Sequence, residues 1–331
     1  MLPNQILNRI IGLQEDERRE YYRHFNMERR IMREESDPFT LSNSLFKDLF
    51  RLNKEMVHFL LLNLSPHMQN RALAIEPRHK IFAALYFFAT GSYQRTIGQS
   101  WNLSLSQQSV SRCIKEVSNL IVNHLAPDWI LFPNTPNEIN KVKAQFMRKT
   151  RFPGVLGAID CTHISIIAPV VEEHNYLNRK GYHSKNVQII CDADLLILNI
   201  NSDTNSWLLG DSGYPQQPWL MTPIVNAAPG TPEFIYTERH VLSRNVIERL
   251  NGVFKGRFRC ISQERKLRYD PVTVGKIITS CAVLHNLCIK GGLQMDINIP
   301  AELPEHVEVQ HMDDFNNGFD ARRQLIARYF A

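Results

Sequence analysis

Three acidic residues stand out for what their surroundings permit. Asp160 lies in Gly-Ala-Ile-Asp-Cys-Thr-His at 157–163, Asp211 in Leu-Leu-Gly-Asp-Ser-Gly-Tyr-Pro at 208–215, and Glu248 in Val-Ile-Glu-Arg-Leu-Asn at 246–251. Each is one carboxylate at the end or edge of an apolar stretch. Two aspartates on strands and a glutamate on a helix can gather oxygen ligands for two divalent cations. Phosphoryl chemistry uses such a pair, about 3.5–4 Å apart, to neutralise the attacking and leaving oxygens. Donors that are all oxygen suit Mg²⁺ or Mn²⁺. Taken singly, each acid has a plainer reading: a buried Asp bonded to backbone amides, an Asp capping a turn, and a surface i, i+4 salt bridge.

The elements that must position these acids are legible in the pattern. Residues 155–167 alternate apolar and small side chains as a central strand does, with Asp160 inside. Residues 207–210 form a short apolar strand that ends in Asp211, where Ser-Gly-Tyr-Pro breaks it. An acid there projects into the crevice where α/β sheets place their sites. Residues 243–258 read as a helix capped by Ser243, with Val246, Leu250, Val253, Phe254 and Phe258 buried. Glu248 shares the other face with Arg244, Gly252 and Lys255. His163 makes a structural hydrogen bond, or touches a phosphate or the metal shell. The turn at 178–184, with Arg179, Lys180, Tyr182 and His183, is either an exposed hairpin turn or a contact to a nucleic-acid backbone. It precedes a strand at 187–192.

Net charge is +5, but its placement says more. Residues 239–268 hold nine Arg or Lys against Glu248 and Glu264, a local +7, whereas residues 301–331 sum to −3. A basic stripe beside an acidic cluster suits a phosphate backbone. The six cysteines show no metal-ligand spacing and read as reduced core thiols of a cytosolic or nuclear protein. No apolar run reaches the ~18 residues of a membrane span. Residues 1–19 carry neither a signal nor a transit pattern.

The spacing predicts five regions: a mixed-charge helical arm at 1–39, an all-α domain at 40–126, a connector at 127–151 with a helix at 138–148, an α/β domain at 152–295, and an acidic tail with a terminal helix at 296–331. Within the all-α domain, helices are expected after Thr40 or Ser42, at 57–64, at 80–89, at 94–101 and at 106–121. The last two make a helix-turn-helix pattern. Val110, Ile114, Val117 and Ile121 form the buried stripe of its second helix, leaving Ser109, Arg112 and Lys115 off it. Such a pattern is either a DNA reader or an ordinary helical bundle. A long apolar helix follows at 272–290.

Together the segments at 157–163, 178–184, 187–194, 207–215, 219–223, 244–259 and 283–286 resemble the PIF/Harbinger transposase family, from about residue 46 onward. The resemblance implies an RNase H-like mixed sheet with flanking helices and an Asp-Asp-Glu triad of Asp160, Asp211 and Glu248, acting with divalent metal on DNA. The 36 residues between Asp211 and Glu248 agree with that arrangement. Arg112, Lys115, Arg179, Lys180, Arg244 and Lys255 are the expected nucleic-acid contacts. The resemblance also implies a nuclear protein, also found in the cytoplasm, and a Myb/SANT-like partner for DNA targeting. The alternative is a catalytically inactive DNA- or protein-binding remnant. His285 and Asn286 match a Leu-His-Asn motif and read as structural.

The chain departs from the family pattern after Asn199. Roughly two dozen residues, the length of a crossover unit, have no counterpart. In an RNase H-like sheet the third strand lies at one edge and the fourth three positions away, parallel to it. The joint distance is roughly 20–25 Å. Residues 202–206 reach at most ~18 Å. The expectation is that strands fray at this link or that the third strand leaves the sheet.

Overall fold

The computed structural model describes residues 4–68, 75–100, 103–198, 206–293 and 316–331. Residues 101–102, the 199–205 link and the acidic stretch at 301–315 therefore lie outside the described residues. The chain divides into two compact units, residues 1–117 and 118–331, with the boundary inside one helix.

Among the described residues the first unit holds helices only. Helix α1 (Asn4–Glu35) bears the mixed charge expected of a solvated arm, and most of its side chains from Glu15 onward are exposed. Helix α2 (Asn43–Phe50) starts at Ser42, whose hydroxyl accepts from the Leu45 amide at 3.3 Å. Helix α3 (Lys54–Leu64) is capped by Asn53 and stops before Pro66. Helix α4 (Pro77–Thr90) is nearly all buried and ends at Gly91, which takes the left-handed conformation of a helix stop. Then come α5 (Gln94–Gln99) and α6 (Gln107–His124). Ser106 caps α6 through the Ser109 amide at 3.1 Å. Val110, Ile114, Val117 and Ile121 are fully buried, while Arg112 and Lys115 are exposed.

The second unit opens with α7 (Ala126–Trp129) and α8 (Pro136–Thr150). A Thr135/Glu138 capping box starts α8 two residues before the expected point. The sheet follows, with β1 (Val155–Ser165), β2 (Ser184–Cys191), β3 (Ile197–Leu198), β4 (Trp207–Leu209) and β5 (Leu220–Met221) in the order β3-β2-β1-β4-β5. β1 is antiparallel to β2 and parallel to β4. Thus the third strand is at the edge and the fourth lies beyond the second and first, as expected. The described part of β3 has two residues and β4 has three, against eleven in β1. The link between β3 and β4, on which the fraying expectation falls, lies outside the described residues.

Helix α9 (Pro232–Arg257) crosses the sheet, followed by α10 (Pro271–Lys290) and α11 (Asn316–Tyr329). The expected cap at Ser243 is a misreading. Thr231 and Pro232 start α9, and Ser243 sits eleven residues inside it, where its hydroxyl donates to the Arg239 carbonyl at 2.7 Å. A helical serine can satisfy itself this way, so the residue type alone does not mark a start. Ile247, missing from the expected stripe, is fully buried, while Val246 is half-buried.

Helix α10 is long and apolar enough to cross a membrane by length and composition. Here it is a core helix: Val274, Ile277, Cys281, Leu284 and Cys288 are fully buried. His285 and Asn286 are structural, as expected. Asn286 accepts from the Ile197 amide and donates to the Ile197 and Trp129 carbonyls, all at 2.7–2.8 Å. His285 Nε2 is 2.9 Å from the Leu195 carbonyl. One motif on α10 thus pins the edge strand. The terminal helix α11 places Leu325, Ile326 and, just after it, Phe330 in the core with Phe152, Leu209 and Tyr236.

The six cysteines form no disulfide, and five of them are buried. Cys161 is the exception. It lies on the exposed face of β1 with its sulfur 3.2 Å from the Tyr214 hydroxyl.

Candidate active site

Register brings the two aspartates side by side. Ala158 on β1 pairs with Leu209 on the parallel β4, so Asp160 and Asp211, each two residues further on, leave the sheet at the same level. Asp211 is shaped by its turn: its Oδ1 accepts from the Gly213 amide at 2.9 Å, so it also plays the capping role. Helix α9 lies against β1 and presents Arg244, Glu248, Asn251 and Lys255 at offsets of four, seven and eleven, one face of a helix.

The three carboxylates converge on one guanidinium. Arg244 Nη2 donates to Asp160 Oδ1 at 3.1 Å and to Asp211 Oδ2 at 3.5 Å, while Nη1 donates to Glu248 Oε1 at 2.6 Å. Asp160's other oxygen, Oδ2, accepts from Asn251 Nδ2 at 2.9 Å. The Arg244 side chain is only 12% exposed and that of Asp160 19%, so these charges are largely desolvated. Burial is the main influence on Asp160 and raises its carboxyl pKa above the ordinary range; Arg244 opposes this, and Asp211 and Glu248 add to it.

Lys255 Nζ donates to the His163 carbonyl at 3.2 Å, and burial pulls its pKa below the usual lysine value. His163 Nδ1 is 2.9 Å from the Ser184 hydroxyl, which also accepts from Asn178 Nδ2 at 2.9 Å. This is the structural bond, with the ring on the far side of β1 from Asp160. Burial lowers the His163 pKa, and the positive charges of Lys255, Arg179 and Lys180 lower it further. Arg179 and Lys180 are exposed in a turn closed by Gly181. Arg112 and Lys115 belong to the first unit and are described only there.

Two features were not read from the sequence. Arg244, expected to touch nucleic acid, is engaged by the three acids. Asn251 was passed over for Gly252, although both fall within one turn of Glu248. The i, i+4, i+7, i+11 spacing from Arg244 was the available signal.

The donor set fits a hard cation: three carboxylates from three elements, gathered by a positive charge that the chain itself supplies. Among the described residues no His, Cys, Asp or Glu group is already arranged as a metal cluster.

Comparison with known proteins follows the same lines. Residues 199–286 match the family model of the DDE superfamily endonucleases. A protein of Homo sapiens described as "Putative nuclease HARBI1" is 33% identical over 307 residues, covering 83% of this chain and 86% of that protein. Its Xenopus laevis counterpart is 32% identical over 295 residues, 79% of this chain and 82% of that protein. The Arabidopsis thaliana protein "Antagonist of like heterochromatin protein 1" is 25% identical over 308 residues, 77% of this chain and 75% of that one. No solved structure matches the chain. The human match spans 307 positions but uses 83% of 331 residues, about 275, so about 30 positions have no counterpart here.

Proposed function

Because the chain belongs to the harbinger transposase-derived nuclease family of DDE superfamily endonucleases, we propose that its second unit is an RNase H-like domain cleaving DNA phosphodiester bonds through Asp160, Asp211 and Glu248. The strand order, with a central β1 antiparallel to β2 and parallel to β4, supports the fold. The observation that carries the reading is the convergence of three carboxylates, distant in sequence, on one cation. Asp160, Asp211 and Glu248 would hold Mg²⁺ or Mn²⁺. When bound, such ions neutralise the attacking and leaving oxygens and acidify water.

The remaining work falls to the chain's own side chains. Asn251 orients the Asp160 carboxylate. Burial of Asp160 and Arg244 strengthens the attraction between them. Lys255, one turn beyond Asn251, and the exposed Arg179 and Lys180 offer positive charge along the path of a phosphate backbone. Residence in the nucleus, and also in the cytoplasm, and a Myb/SANT-like DNA-targeting partner rest on the family resemblance and, for the nucleus, on the basic charge, and complete the proposal.

A second reading is a non-cleaving remnant that binds DNA or protein. Arg244 between the acids favours it, as does the missing length relative to the animal relatives. So does the plant relative named as an antagonist of a heterochromatin protein rather than as a nuclease. Thermal melting with and without Mn²⁺ separates the two, using the full chain and its Asp160→Asn/Asp211→Asn double variant. Ligand that binds the native state raises stability by mass action. A rise in the parent that the double variant loses is the expected result. A cooperative melt with no rise in the parent would give the remnant reading the lead.

A further inference from the structure

We propose that Arg244 is the site's resident cation: it gathers Asp160, Asp211 and Glu248 in the metal-free protein, and a divalent ion must displace it to bind. The inference rests on the reading that these carboxylates hold metal. One oxygen of each acid is already taken by this guanidinium, at 3.1, 3.5 and 2.6 Å. The remaining Asp160 oxygen is taken by Asn251, and the remaining Asp211 oxygen by the Gly213 amide. Each Asp160 oxygen keeps a lone-pair site, so what a metal must displace here is the guanidinium's positive charge, lodged among the acids it would need.

The stem of Arg244 points the same way. Its Nε is buried with no hydrogen-bond partner among the described residues. A buried donor left unpaired is costly. A side chain turned outward would hydrate that nitrogen, so the three carboxylates at the tip must outweigh the cost. Asn251 Oδ1, beside Asp160, is likewise buried and unpaired among the described residues. The cluster is thus satisfied at its charged centre and unsatisfied around it.

Charge sets the direction of exchange. Three carboxylates around one guanidinium leave a local deficit of positive charge that a divalent ion offsets better. Guanidinium and metal together would repel at this distance. Metal entry therefore swaps one cation for another, instead of drawing three like charges together from apart. Without Arg244 the acids would repel in the metal-free state, and a metal would meet no competitor.

The test is a Mn²⁺ titration of the full chain and of Arg244→Gln, followed by thermal melting and by the free Mn²⁺ electron paramagnetic resonance signal. The metal-free variant is expected to melt lower than the parent. Its Mn²⁺ midpoint is expected to fall about tenfold or more, the size of a lost charge-assisted contact. A residue that merely held the fold together would lower the first and leave the second alone. An unchanged or higher midpoint, with Mn²⁺ still bound, overturns the displacement while leaving the metal reading standing. No Mn²⁺ response in parent or variant sinks the metal reading, and the displacement with it. Should Arg244→Gln fail to melt cooperatively, Arg244→Lys carries the test. It keeps one charge but cannot bridge three carboxylates, so a midpoint below the parent's is expected and an equal one refutes the exchange.

Discussion

Asp160 stands between two opposing demands. Its position inside a central strand strips water from the carboxylate, and Arg244 returns only part of what is lost, so its folded pKa lies above the ordinary value. The sign follows from linkage. The folded chain holds this proton to higher pH than the unfolded chain does, so stability falls as pH rises from about 4 through the folded pKa. Asparagine at this position never ionises. Metal-free Asp160→Asn should therefore melt above the parent at pH 7, and the gap should close as pH drops to about 4. A variant that melts below the parent at pH 7 would show that the Arg244 pairing outweighs burial. At this scale the acids were legible because each is a lone carboxylate set in or just after an apolar stretch. Arg244 and Asn251 were not. A helix face read from spacing alone cannot separate residues 251 and 252, and an arginine four residues from a glutamate looks like any surface pair.

The elements were read from their periodicity, and most of their ends from caps: Ser42, Ser106 and Pro66 all act where expected. Ser243 misled because serine in a helix can bond its own i−4 carbonyl. The strand link after Asn199 was legible as a length problem, and it falls outside the described residues. What periodicity could not show is how the edge strand β3 is held. Asn286 answers this with two buried hydrogen bonds to the Ile197 backbone, while a third, part-buried, reaches the Trp129 carbonyl. Asn286→Ala would strand those groups in the interior and should cost about 3 kcal/mol of unfolding free energy in a denaturant melt. Hydrogen exchange localises the effect: the Ile197 amide should lose protection before the β1–β2 pairs do. Equal loss across the sheet would mean that β3 and the rest open as one unit, and that Asn286 has no special hold on the edge.

At the scale of the whole chain, the expected DNA contacts are divided between the two units. Arg179 and Lys180 stand exposed on the second, near enough to His163 to lower its pKa; Arg112 and Lys115 stand exposed on α6 in the first, off its buried stripe. Burial patterns made that division legible, since a helix or turn that spends its apolar residues inward leaves its charges outward. They could not show whether outward charge meets DNA, because a solvated helix face has the same pattern. Counterion release distinguishes the two. Each phosphate neutralised on duplex DNA adds about 0.9 to the slope of log affinity against log salt. Arg179→Gln/Lys180→Gln should therefore flatten that slope by about two, and Arg112→Gln/Lys115→Gln by the same amount, each measured by fluorescence anisotropy between low and physiological salt. Neither pair touches Asp160, Asp211 or Glu248, so the slopes report on binding whether or not the acids cleave. A flattened slope from the first pair alone would confine DNA to the second unit and free the helical unit for a protein partner. An unchanged slope from both pairs would make these four residues ordinary solvated charge and return the burden of DNA contact to the basic stretch around Glu248.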